Sequence, residues 1–194
     1  MSVLAVIGSA GRQKDSEYVS NYLYDKMLSE TKKMIDEFEI SKLISGGAAF
    51  SDHLAVTAFL KGWVSELELY LPGKFEQRYF GTHDSKTANS YHQKFSEKLN
   101  IDSLNEISTA INQGAIVSSY PGFKTRNLEV AYNNDYVLAF TFGYKTIQET
   151  DFFNSDEGFS SHSFAGLKDG GTAHTWDQSY RSKMKRHCNL WNLL

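Results

Sequence analysis

Three short stretches of glycine and small residues, with two arginines set near them, are what this chain offers to chemistry. The first is Gly8, Ser9, Ala10, Gly11 and Arg12. It follows an apolar run and precedes a helical pattern. Backbone N–H groups in such a turn have no ladder partner and point one way, a ready seat for a phosphate or carboxylate. Gly8 permits a tight turn, Ser9 offers a hydroxyl, Gly11 lets a ligand approach the main chain, and Arg12 can fork onto a phosphate. An ordinary βα turn uses glycine in the same way, and the third glycine of the dinucleotide fingerprint G-x-G-x-x-G is missing. The second stretch is SGGAAFSD at 45–52. Gly46, Gly47 and Ala48 make a smooth floor for a flat or charged group, and Ser51 and Asp52 stand where helix N-caps stand. Close packing of a helix on a strand demands the same small residues. The third stretch, DGGTAHTWDQS at 169–179, repeats the device. Gly170 and Gly171 form the turn, Gly171 and Thr172 are expected to donate a backbone N–H and a hydroxyl, and His174 and Asp177 are candidate polar contacts. Arg126 and Asn127 stand near the start of a short helical pattern just after Pro121, Gly122 and Phe123. An arginine above a parallel sheet suits a phosphate, although a surface arginine on a helix has the same sequence pattern.

Other reactive groups show no usable pattern. His53, His83, His92, His162 and His187 lack metal-ligand spacing and are read as structural or surface residues, so no metal is expected. Cys188 is the only cysteine, which rules out an internal disulfide and a cysteine metal site. The basic run Lys183 to His187 is read as a solvated helix end. No Ser-His-Asp or Cys-His arrangement follows from the spacing.

These turns need elements to hold them, and Lys42 to Gly62 is the stretch around which those elements are organised. Leu43 and Ile44 carry a buried strand. Leu54, Ala55, Ala58 and Phe59 follow the glycine turn at helical spacing, and Gly62 stands at a C′ position. Upstream, Val3 to Ile7 is a continuous apolar run of the kind buried on both faces of a parallel sheet. A helix starting at Asp15, Ser16 and Glu17 should bury Val19, Leu23 and Met27, with a second short helix over about 32–38. ELELYL at 66–71 is the third strand, ended by Pro72 and Gly73. Further on, a helix should start near Ser85. Ser103 to Glu106 has capping-box spacing, opening a helix to Gln113 that Gly114 closes. Strands at 115–118 and 136–142 flank a helix over 125–132. After these come a helix from Ala173 to about Lys183 and a last short strand at about 187–190. This alternation predicts an α/β fold, Rossmann-like and doubly wound, with a mainly parallel central sheet of about five to six strands. The chain is read as a single domain with insertions at about 74–100 and 143–169. The second insertion lacks any period, as lids do.

Composition narrows the partners. The net charge of −3 argues against a general affinity for nucleic acid. The N-terminal apolar run is too short to span a membrane and lacks the basic start of a signal peptide, so no membrane partner and a cytoplasmic location are expected. At 194 residues, 14% of them aromatic, the chain can bury roughly 70% of its unfolded surface and needs neither disulfide nor metal to fold.

Taken together, GSAGR, SGGAAFSDHLA, LPG, the FKTRNLEVA–YVLAF pair and DGGT resemble the SLOG superfamily, the Rossmann-like group of LOG phosphoribohydrolases, the DNA-processing protein A core and nucleotide-sensing domains. Their order is most similar to the YspA-like branch. The resemblance covers 3–73 and 122–190. It implies a nucleotide or nucleotide-derived ligand, ADP-ribose-like or cyclic, held by Gly8, Ser9, Gly11, Arg12, Gly46, Gly47, Asp52, Arg126, Asn127, Gly171 and Thr172, with Ala48, Gly170 and His174 beside them. It implies no cofactor, and a homo-oligomer paired through helices flanking the crevice. LOG enzymes carry PGG.GT..E, whereas here no proline precedes the glycines and the first acid after Thr172 is Asp177.

The leading expectation is therefore a protein that senses or sequesters its nucleotide ligand. One alternative is an N-glycosidase acting on nucleotide 5′-monophosphates. There Arg126 would hold the phosphate, and Asp52, Asp177, Asp156 or Glu157 would stabilise the developing positive sugar. Another is a DNA-binding module, against which the negative charge argues. The two insertions are expected to cover the crevice, with Phe152, Phe153 and Phe159 stacking on a base.

Overall fold

The computed structural model describes residues 2–76, 78–81, 85–143 and 171–194. The 144–169 part of the second insertion lies outside them, together with His83, Phe152, Phe153, Asp156, Glu157, Phe159, His162 and Gly170.

Six parallel strands form the central sheet. β1 is Ser2–Gly8, β2 Ile40–Ser45, β3 Glu66–Leu71, β6 Ile116–Ser119, β7 Tyr136–Thr141 and β8 Met184–Asn189. They stand in the order β6-β3-β2-β1-β7-β8, so the chain runs outward from β1 to one edge and returns to β7 on the other side of β1. That reversal beside β1 is the switch point, where connections to either side leave a gap above the strand ends. The fold is the doubly wound α/β fold that the alternation of elements predicts.

The strands are apolar because both faces are covered. Leu4 and Val6 belong to one core with Leu23, Met27, Leu54 and Ala58. Ala5 and Ile7, pointing the other way, join Ile44, Val130, Val137 and Trp176 in a second core. The first core is supplied by helices α1 (Asn21–Glu37), α2 (His53–Leu60), α3 (Ser85–Leu99) and α4 (Ser103–Asn112), the second by α5 (Gly122–Tyr132) and α6 (Gly171–Gln178). Each fully buried Leu or Met stabilises the fold by roughly 1.5–3 kcal/mol.

Several boundaries differ from expectation for identifiable reasons. The acidic segment around Asp15 is a 3-10 turn, Gln13–Tyr18, because the Asp15 carboxylate turns inward to accept the Ser9 hydroxyl at 2.8 Å. The α-helix starts later, with Ser20 accepting from the Leu23 N–H. It then runs unbroken through the segment expected to be a separate helix, since Met34 and Ile35 continue its buried stripe. The α4 cap is Asp102, which accepts from Asn105 N–H at 2.9 Å, and not Ser103. Ser103 is inside, bonded to Ser96 and His92, while Glu106 reaches His53 Nε2 at 2.6 Å. α6 starts and ends earlier than expected, and β8 begins at Met184 within the basic run, which is therefore a strand and not a helix end. The first insertion holds a small hairpin, β4 (Phe75–Glu76) and β5 (Tyr79–Phe80), followed by α3. Among the described residues no helix is long and apolar enough to cross a membrane.

Candidate functional site

Four hydrogen bonds tie the glycine turns and α5 into a ring above the strand ends. Ser51 N–H donates to Ser9 carbonyl at 3.2 Å, joining the first turn to the second. Thr172 hydroxyl donates to Gly8 carbonyl at 2.8 Å, joining the third turn to the first. Asn127 Nδ2 donates to Gly171 carbonyl at 3.3 Å, and Arg126 Nη1 donates to Asp52 Oδ2 at 3.3 Å, closing the circuit through α5. Inside the ring is a crevice of about 240 Å3, reached by Gly8, Ala10, Arg12, Gly46, Gly47, Ala48, Asp52, Arg126, Asn127, Gly171 and Thr172. Most of the residues singled out by sequence thus line one hollow at the switch point.

The small residues are there for clearance. A Cβ on Gly46 would lie 1.3 Å from Arg126 Nη1 and 2.8 Å from Asp52 Oδ2, so the guanidinium rests directly against bare backbone. A Cβ on Gly8 would lie 2.1 Å from the Phe140 carbonyl and 2.7 Å from Ser51. Gly47 turns the chain with φ +65°, a conformation that side chains disfavour.

Arg126 and Asp52 form the floor. Both are buried, with side chains 9% and 6% exposed. Their 3.3 Å contact is longer than the ~2.7–2.9 Å of a strong charge-assisted bond. The Asp52 carboxylate also accepts from Ala48 N–H, again at 3.3 Å. Arg126 Nε is buried without a partner among the described residues. Burial pushes the Asp52 carboxyl above its ordinary range against the pull of Arg126 and of backbone N–H groups. Burial likewise pulls the Arg126 guanidinium below its ordinary value, with Asp52 opposing. Desolvation therefore outweighs the pairing on both sides, and the arginine has donor capacity left over. The Phe123 ring lies 5.9 Å from the guanidinium carbon.

Some expected roles are different. Asp52 opens α2 without capping it through its side chain, because the carboxylate is turned onto Ala48 and Arg126. Ser51 is no cap either, since its hydroxyl reaches toward Phe140 carbonyl. The Ser9 hydroxyl is held between Asp15 and Gly11 N–H and shapes the turn without lining the crevice. Gly11 faces a neighbouring hollow. Thr172 reaches the crevice, but its hydroxyl proton is committed to Gly8 carbonyl. His174 and Asp177 do not line the crevice, and Asp177 is exposed, because both fall on other sides of α6.

Sequence reading expected the first insertion to cover the crevice but named none of the residues that do so. Thr87, Ala88 and Tyr91 of α3 line the crevice, together with Pro72, Phe123 and Thr175. Thr87 and Ala88 stand four and three residues before Tyr91, so each shares a helix face with that ring. α3 is held in place by His92, whose Nε2 donates to Gly47 carbonyl at 3.0 Å while Nδ1 meets Ser103 hydroxyl at 3.0 Å. Burial, with His53 alongside, pulls the His92 imidazole down to about 3.

Fold and site together define a doubly wound α/β protein whose strand ends open into a crevice ringed by glycine turns and floored by a buried arginine–aspartate pair. No protein-family model matches the chain. The chain does belong to the same family as "Uncharacterized protein R261" of Acanthamoeba polyphaga mimivirus, with which it is 38% identical over 150 residues, 73% of this chain and 83% of that protein.

Proposed function

We propose that the crevice binds a nucleotide or nucleotide-derived ligand, and that the protein senses or sequesters it as a member of the SLOG superfamily. The phosphate sits over Gly46, Gly47 and Ala48, with Arg126 below and Arg12 at the rim, and the base lies between α3 and α5 near Tyr91 and Phe123. The observation that carries the reading is Arg126, a buried cation with an unpartnered Nε beside a glycine floor that leaves no room for a side chain. An incoming phosphate supplies the acceptor oxygens that Asp52 alone does not. The protein is taken to act in the cytoplasm, as its lone cysteine suits, and, on the strength of the resemblance, as a homo-oligomer.

Isothermal titration against AMP, ADP, ADP-ribose and cyclic mononucleotides tests this. At least one should bind, and Arg12→Ala should weaken it about tenfold or more, the scale of one hydrogen bond to a charged group. Arg12 is exposed, so this variant should keep the fold. Silence across the panel from folded protein refutes the proposal.

One observation favours a second reading, hydrolysis of a nucleotide N-glycosidic bond. Asp52 puts a buried carboxyl, pushed above its ordinary range by desolvation, in the crevice itself. Release of free base from AMP would establish it, and no turnover over a day at high protein concentration would end it.

A further inference from the structure

A second hollow, of about 320 Å3, adjoins the crevice. Ala10 and Tyr91 line both, so the two spaces meet at a small residue and a half-buried ring. The floor of the second is apolar, formed by Val19, Phe50 and Phe95, and Lys94 and Lys98 stand on its rim. One face of α3 serves both spaces. Thr87 and Tyr91 turn to the crevice, and Tyr91, Lys94, Phe95 and Lys98 to the hollow beyond, at helical spacing.

The volumes bear on what fits. The crevice alone is below the ~300–1,000 Å3 usual for a small-molecule site, and it reaches that range only with its neighbour. Charge points the same way. Lys94 and Lys98 are like charges four residues apart, an arrangement that weakens a helix, and neither forms an ion pair among the described residues. Lys98 complements the helix end, but Lys94 has no such role. Glu97 also borders the hollow, and it accepts from Gln93 Nε2 at 3.0 Å.

Resting on the nucleotide reading, we propose that the site takes a two-part ligand. The nucleotide occupies the crevice, a pyrophosphate passes Ala10 and Tyr91 toward Lys94 and Lys98, and a second ring settles over the Phe50–Phe95 floor. Lys94 and Lys98 then select pyrophosphate-linked ligands over mononucleotides.

The test compares AMP, ADP and ADP-ribose by isothermal titration on the full chain and on the Lys94→Ala/Lys98→Ala double variant, whose changes are confined to exposed positions. ADP-ribose should bind at least tenfold tighter than AMP, with ADP between them. The double variant should lose at least fivefold for ADP-ribose and less than twofold for AMP. Equal affinities for AMP and ADP-ribose, or an unchanged ADP-ribose affinity in the variant, overturn the second subsite while leaving the nucleotide reading intact. Binding of none of the three overturns both.

Discussion

Replacing Arg126 with Met tests the floor of the crevice most directly. Methionine approximates the length of the arginine stem and keeps its apolar packing, but it strands the Asp52 carboxylate. Removing one member of a buried ion pair costs about 3–5 kcal/mol. Here the low end, about 3 kcal/mol, is expected, because the lost contact is a long 3.3 Å and Asp52 keeps its bond from Ala48. For a chain of this size that corresponds to a fall in Tm of about 6–12 °C. The pH dependence is the sharper signature. The folded-state value of Asp52 is already above its unfolded value, so the stability this group contributes is complete below about pH 3.9, and it is lost as pH rises through the folded value. Arg126 opposes that rise, so its removal lifts the folded value further and widens the loss. The deficit of Arg126→Met relative to wild type should therefore be largest near pH 7.5 and close as pH falls toward 4. Adding Asp52→Asn should recover about 2 kcal/mol, since the double variant buries no charge at this point. Urea unfolding of the four proteins at pH 4.5, 6 and 7.5 supplies the measurements. A single-variant cost under about 1 kcal/mol at pH 7.5, or one independent of pH, would refute the account of an under-compensated pair.

Gly46→Ala should drive the guanidinium off its seat, destabilise the protein by about 1–3 kcal/mol as overpacking does, and weaken the proposed nucleotide binding, read by thermal melts and titration. The His92 imidazole is depressed to about 3 by burial, so its contribution is in full above about pH 6.5 and is lost as pH falls toward the folded value. His92→Gln should therefore flatten the stability profile between pH 6.5 and 4, leaving a residual slope from His187, which burial pulls down to about 4. Asp102→Ala should cost about 1 kcal/mol by denaturant titration, and Ser103→Ala should do more damage than a cap would, because its hydroxyl is inside.

The sheet was legible because continuous apolar runs ending in glycine leave few alternatives. Val3 to Ile7 and Tyr136 to Phe142 have no polar face to show to water, so helices had to cover both sides. The turns were legible for a related reason: glycine where a strand meets a helix marks close approach. What the sequence did not show was direction. Asp15, Asp52 and Ser51 have the composition of helix caps, yet each side chain turns toward a partner distant in sequence or across a turn. Cap preference of about 1 kcal/mol is easily overridden by a buried hydrogen bond to a charge. The wall formed by Thr87, Ala88 and Tyr91 was hidden because a polar helix gives no hint of which hollow it overlooks.

Tyr91 and His92 are consecutive residues, one facing the crevice and the other fixed to Gly47 carbonyl beneath it. The aperture between α3 and the glycine floor is thus gauged by a single peptide unit and clamped by an interior imidazole. A molecule entering meets a slot of set width, and widening it means breaking a bond that no water reaches. Such a slot forgoes adaptability for a low ordering cost, because its wall is set before anything enters.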